Sequence, residues 1–179
     1  MPRHIAFLRA VNVGKRQVKI AELRGWLAEA GFTEVQTHIQ TGNVAVTSTI
    51  RGAAEVEREI ETLLAQRCGF EVPCMVFSPA ELRQISAVAA AIPAPEFADH
   101  PEAKRYVTLF KRPLSELEHA RVAEFTAERE RAWADGRAVH IWIAGGTVDA
   151  VVFKDLGKLL EPGTNRNLRV IDALNLKWC

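Results

Sequence analysis

The run Ile5-Ala6-Phe7-Leu8-Arg9-Ala10-Val11 is apolar on both of its alternating faces, with Ile5, Phe7 and Val11 on one and Ala6, Leu8 and Ala10 on the other. A strand with one face in water alternates apolar and polar side chains, so this run predicts a central strand covered on both sides. Such a strand requires a layered fold, with helices on at least one face of a sheet. Arg9 interrupts the first face near the carboxyl end. The exit then carries Asn12, Gly14, Lys15 and Arg16 ahead of a helical pattern, in the kind of place where ligands meet a sheet.

Downstream, Ile20, Leu23, Leu27 and Ala30 recur at helical spacing and Gly31 supplies the stop. Two alternating runs, from Val35 to Ile39 and from Val44 to Ser48, flank Thr41-Gly42-Asn43 and predict a hairpin. Val56, Ile60, Leu63 and Leu64 predict a second helix ended by Gly69, and Val72 to Phe77 predicts an edge strand because of Pro73. The order strand, helix, strand, strand, helix, strand is the split βαβ arrangement of ferredoxin-like domains.

A capping box at Ser78-Pro79-Ala80-Glu81 opens what reads as a second domain, and its helix runs into a loop marked by Pro93, Pro95 and Pro101. Arg105 to Phe110 predicts a strand. A second box, Ser115 with Glu118, predicts a helix through Phe125 toward Trp133, ended by Asp135-Gly136. Val139 to Ile143 and Val148 to Val152 then predict a hairpin across Ala144-Gly145-Gly146. After a short helical segment, Thr164 is the expected cap of the last helix, with Asn165, Arg166 and Asn167 in its first turn. The expected fold is therefore α+β: two tandem ferredoxin-like (βαββαβ) subdomains packed together, residues 1–77 and 78–179, the second with extra helices.

Three separated stretches, Leu8 to Gly14, Ile39-Gln40-Thr41-Gly42-Asn43-Val44 and Asn165-Arg166-Asn167, resemble in content, order and spacing the signature blocks of a bacterial family of unknown function, DUF1697. The resemblance covers nearly the whole chain. It implies a cytoplasmic α+β protein of two ferredoxin-like halves and brings with it no catalytic residue or substrate. Ala10 and Lys15 stand where that family usually has glycine, and Leu168 where tryptophan is common.

Composition narrows the function classes. With 48% hydrophobic and 25% charged residues and no apolar run of about 20, the chain reads as a globular protein without a membrane partner. Its amino terminus lacks a signal-peptide pattern, so a cytoplasmic location is expected. Three cysteines lack paired spacing and five dispersed histidines have no i, i+4 pair, so no metal is expected. No cofactor is expected either, because Gly14-Lys15 lacks the upstream glycine and following hydroxyl of a phosphate loop, and Gly14 stands alone where a dinucleotide fingerprint needs three glycines.

Charge is uneven despite a net value of +1: residues 1–24 hold six Lys or Arg against one acid, Glu22. Arg9, Asn12, Gly14, Lys15, Arg16, Asn43, Asn165 and Arg166 are the candidate ligand-binding residues, expected to converge between the halves. Three classes of function follow: a module binding a small anionic or phosphorylated ligand or a nucleic-acid backbone, an enzyme acting on such a ligand with His38 as candidate base, and a structural or oligomer-forming protein without a ligand. The inner strands lack the adjacent exposed aromatics of base-stacking RNA domains. Oligomeric state is left open by the sequence.

Overall fold

β1 (Arg3–Leu8) lies inside a four-stranded sheet of a computed structural model that describes residues 1–179, and Ile5, Ala6, Phe7 and Leu8 are each at most 1% exposed. It is followed by α1 (Ile20–Glu29), β2 (Thr33–His38), β3 (Asn43–Thr47), α2 (Ala53–Cys68) and β4 (Cys74–Phe77), and the sheet order is β2-β3-β1-β4 with every pair antiparallel. Ala6, Leu8, Val44, Val46 and Val76 pack on one face against Leu23 and Leu27 of α1 and Val56, Ile60 and Leu64 of α2. On the opposite face Phe7 meets Phe77 edge-on, with ring centroids 5.8 Å apart.

β4 is an edge strand, as Pro73 predicts, and an open edge invites pairing with other chains. Here α2 closes it. Glu61 Oε1 accepts from the Cys74 amide at 2.7 Å, and Glu57 Oε1, one helical turn earlier, accepts from the Val76 amide at 2.9 Å. Two of the four acids in the run Glu55, Glu57, Glu59 and Glu61 thus face the sheet. Replacing buried Glu57 with alanine removes the carboxylate that accepts from the Val76 amide and is expected to cost about 1.5 to 3 kcal/mol in urea unfolding. Exposed Glu59→Ala should stay within about 0.5 kcal/mol, and equal effects of the two changes would dismiss the edge-closing role.

The remaining elements are α3 (Pro79–Ala91), β5 (Ala103–Leu109), α4 (Glu116–Ala123), β6 (Thr126–Ala127), β7 (Glu130–Asp135), β8 (Ala138–Ala144), α5 (Val151–Asp155), α6 (Gly157–Leu160), β9 (Thr164–Asn167) and α7 (Leu168–Trp178). β5 to β9 form a second antiparallel sheet, ordered β6-β7-β8-β5-β9. Val139, Ile141 and Ile143 of β8 pack with Val122, Phe125, Val152 and Leu156. The chain divides into two compact units, Met1–Leu82 with Leu174–Cys179, and Arg83–Ala173. No helix is long and apolar enough to cross a membrane.

Both capping boxes form: Ser78 with Glu81, and Ser115 with Glu118, whose carboxyl is held down to about 2 chiefly by its hydrogen bond from Arg112. Three expectations are overturned. The helix from Ser115 ends at Ala123, and Trp133 lies in β7. β8 pairs not with residues 148–152 but with β7, across Gly136 (φ 53°) and Arg137. Residues 151–155 are instead the helix α5, whose Val151 and Val152 amides donate to the buried Glu130 carboxylate at 2.8 and 2.7 Å.

The third correction concerns the last signature block. Asn165 and Arg166 do not open a helix; they belong to β9, paired to Thr108 and Val107 of β5. The cap of α7 is Asn167, whose Oδ1 accepts from the Arg169 amide at 2.9 Å, rather than Thr164. Ladder pairing with β5 satisfies this backbone, which a free first helical turn would have left open.

Candidate functional site

The loop from Arg9 to Lys19 is built on a small hairpin. Asn12 N donates to Arg16 O at 2.7 Å and Arg16 N donates to Val13 O at 3.1 Å, closing a turn with Gly14 and Lys15 at its tip. Of those two only Gly14 has positive φ, 57°, the pattern of a type II′ turn. Ala10 and Asn12 also sit in the left-handed region at 55° and 56°. A glycine at position 10, as the family resemblance leads one to expect, would adopt that conformation freely, whereas alanine does so at a cost of roughly 1 kcal/mol.

Asn12 holds the loop in place. Its Nδ2 donates to Gln40 O at 2.6 Å and its Oδ1 accepts from the Val18 amide at 2.8 Å. The segment it grips is itself strained, because Ile39, a β-branched residue, has φ 50°. Gly42 seats that segment on β1: its carbonyl accepts from Leu8 N at 2.8 Å, and a Cβ there would lie 2.5 Å from Val11 Cγ2. Asn43, wholly buried, donates from Nδ2 to His38 O at 3.1 Å and to Thr41 Oγ1 at 3.0 Å. Asn12 and Asn43 are therefore occupied in shaping the loops. Asn12→Ala is expected to cost about 1 to 3 kcal/mol through the partners left behind, as measured by denaturant unfolding; a loss below about 0.5 kcal/mol would show that the tie does not hold the loop.

The basic side chains are arranged otherwise. Lys15 and Arg16 are exposed and Arg9 is half-buried, and none is within ion-pair distance of a carboxylate, whereas nearby Lys19 reaches Glu22 at 3.1 Å. Arg16 lies over the Phe70 ring at 5.5 Å. The loop thus presents three unneutralised positive charges on a braced backbone. His38 is half-buried and meets the Trp178 ring edge-on at 6.4 Å, and Trp178 Nε1 donates to Gln36 Oε1 at 2.9 Å.

Asn165 and Arg166 belong to the other unit. Arg166 is only 8% exposed and donates to Thr164 Oγ1 at 2.7 Å and to Asn165 O at 2.8 Å, while Asn165 Oδ1 accepts from Thr108 Oγ1 at 3.3 Å. Next to them lies a feature the sequence reading missed, a cleft of 430 Å³ lined by residues that include Lys104, Arg105, Trp142, Asn167, Arg169 and Asp172. Nowhere do three or more His, Cys, Asp or Glu side chains group so as to hold a metal ion.

Two antiparallel sheets and seven helices in two compact units define a mixed α+β protein with a braced basic loop at the end of its first strand. The chain belongs to the family described as "Protein of unknown function (DUF1697)", whose profile matches residues 1–140. Among solved structures, that of the conserved bacterial protein SP0830 from Streptococcus pneumoniae superposes with a TM-score of 0.75 at 23% identity, covering 99% of this chain and 98% of that one. The fold is thus shared over the full length. No curated protein matches.

Proposed function

We propose that the protein binds a phosphorylated ligand, in its extended form a nucleic-acid backbone, through the loop between β1 and α1. The observation that carries this reading is the contrast within the loop: its asparagine is spent on fixing the backbone, while Arg9, Lys15 and Arg16 have no carboxylate partner. Left-handed backbone at Ala10 and Asn12 adds strain, and strain of this kind concentrates at sites where a fixed geometry is used. Base stacking on the first sheet has no support, because β1 and β3 are covered along almost their whole length.

The ferredoxin-like reading of each half belongs with this proposal. The order β4-β1-β3-β2 in the first unit and β9-β5-β8-β7 in the second follow one plan, with β6 added at the edge of the second. Under that plan the loop after the first strand lies at a strand's carboxyl end.

The test is fluorescence anisotropy with a labelled single-stranded RNA, run from low to moderate salt, on wild type and on a Lys15→Glu, Arg16→Glu double variant. Removing two phosphate contacts should weaken binding at least about tenfold and reduce the salt slope by about 1.4. Unchanged affinity in the variant, or no salt-dependent binding in wild type, would overturn the proposal.

A further inference from the structure

We infer that the second unit carries its own binding cleft for a small anion bearing a planar ring, of the nucleoside monophosphate class, independent of the loop after β1. Its 430 Å³ lie at the ends of β5 and β8 beside the β9–α7 junction, within the size range of sites that enclose small ligands. The cleft has a platform and a charged rim, and each points to one part of such a ligand.

The platform is Arg105 on Trp142. The guanidinium sits 4.5 Å above the indole centroid, and its orientation is fixed by a hydrogen bond from Nη2 to Ala89 O. A guanidinium seated over an indole and tied by a hydrogen bond offers a surface on which heteroaromatic rings stack, as bases do on arginine. The rim is basic. Lys104 and Arg169 are exposed and pair with no carboxylate, and the one acid present, Asp172, accepts from Ser86 Oγ at 3.1 Å. Three cations face a single carboxylate already engaged, so the cleft favours an anion.

The sheet face leading into the cleft is also unlike a packing surface. One side of β8 reads Val139, Ile141 and Ile143 and fills the core. The other side, fixed by the pairing of Trp142 with Arg105 and of His140 with Val107, carries a Trp142 Nε1 and two His140 ring nitrogens that are buried without hydrogen-bond partners. Each such group carries the desolvation penalty of a buried polar atom left unpaired. Apolar side chains would pack there without that cost, and departures from packing rules of this sort gather at functional sites.

Titration calorimetry with AMP, adenosine and ribose 5-phosphate tests the inference. Wild type should bind AMP at least about tenfold more tightly than either fragment, a difference of about 1.4 kcal/mol. Lys104→Glu with Arg169→Glu, both exposed and so compatible with folding, should weaken AMP at least about tenfold while leaving adenosine within about twofold, because the lost term is electrostatic. Lys15→Glu with Arg16→Glu should leave AMP within about twofold, which separates this cleft from the loop of the first unit. No saturable AMP binding, an AMP loss confined to the Lys15 and Arg16 variant, or ribose 5-phosphate binding as tightly as AMP would each overturn it.

Discussion

Gly42→Ala is expected to destabilise the protein by on the order of 3 kcal/mol, combining overpacking with an unfavourable backbone conformation. The residue has φ 76°, and the added Cβ would lie 2.5 Å from Val11 Cγ2 and 2.8 Å from Leu8 Cβ. Carbon contacts are comfortable only near 3.5 to 4.0 Å. Val11 has a stiff branched side chain, and Leu8 cannot retreat, because β1 is held by β3 on one side and β4 on the other. The Gly42 carbonyl also accepts from Leu8 N, so the turn must either break that bond or deform the loop that Asn12 ties down. Gly14→Ala is the matched control. Its φ is 57°, but nothing lies within 4 Å of the new methyl, and about 1 kcal/mol is expected. Urea midpoints that fall equally in the two variants would show that the Gly42 packing has been overestimated.

Much of the first unit is legible in the sequence because its elements are long enough to show their period. β1 is apolar on both faces, α1 and α2 repeat apolar residues at helical spacing, and the β2–β3 hairpin brackets Gly42. In the second unit the pattern misleads between residues 124 and 152. Asp135-Gly136 is a strong hairpin signal, yet it also follows a helical pattern and so reads as a helix stop. Ala144-Gly145-Gly146 resembles a hairpin turn but leads to α5, because the partner edge of β8 is already taken by β7 and Glu130 caps the helix amides. β9 has four residues, too few for any period to appear.

The candidate site divides in the same way. That Arg9, Lys15 and Arg16 cluster at the end of the first strand follows from their adjacency in the chain. The roles of Asn12 and Asn43 do not, because their partners are backbone groups of Gln40, Val18 and His38, brought together by folding. Arg105 and Trp142 meet only through the β5–β8 register, and a slip of one residue would put them on opposite faces. A pair made by register across a long connection leaves no mark in local sequence.

A large pH effect is expected from His140. It is 2% exposed and neither ring nitrogen has a partner, and burial, assisted by the Arg105 charge and opposed by Asp135, pushes its pKa down to about 4. An unfolded histidine titrates near 6.5, so between these values the unfolded chain takes up a proton that the folded one refuses. The contribution is fully present above about pH 6.5 and is lost as pH falls toward 4, by up to about 1.4 kcal/mol per unit and on the order of 3 kcal/mol in all. Glu118, held near 2 by Arg112, loses its own contribution only at lower pH, between about 4.5 and 2, and being at the surface contributes little. His140→Leu separates the two. Removing two unsatisfied buried nitrogens should stabilise the protein at pH 7.5 by about 1 kcal/mol or more, and the fall in urea midpoint between pH 7 and 4.5 should largely disappear. If wild type and His140→Leu lose stability in parallel over that window, His140 is protonated in the folded protein and the face of β8 that carries it is open to water.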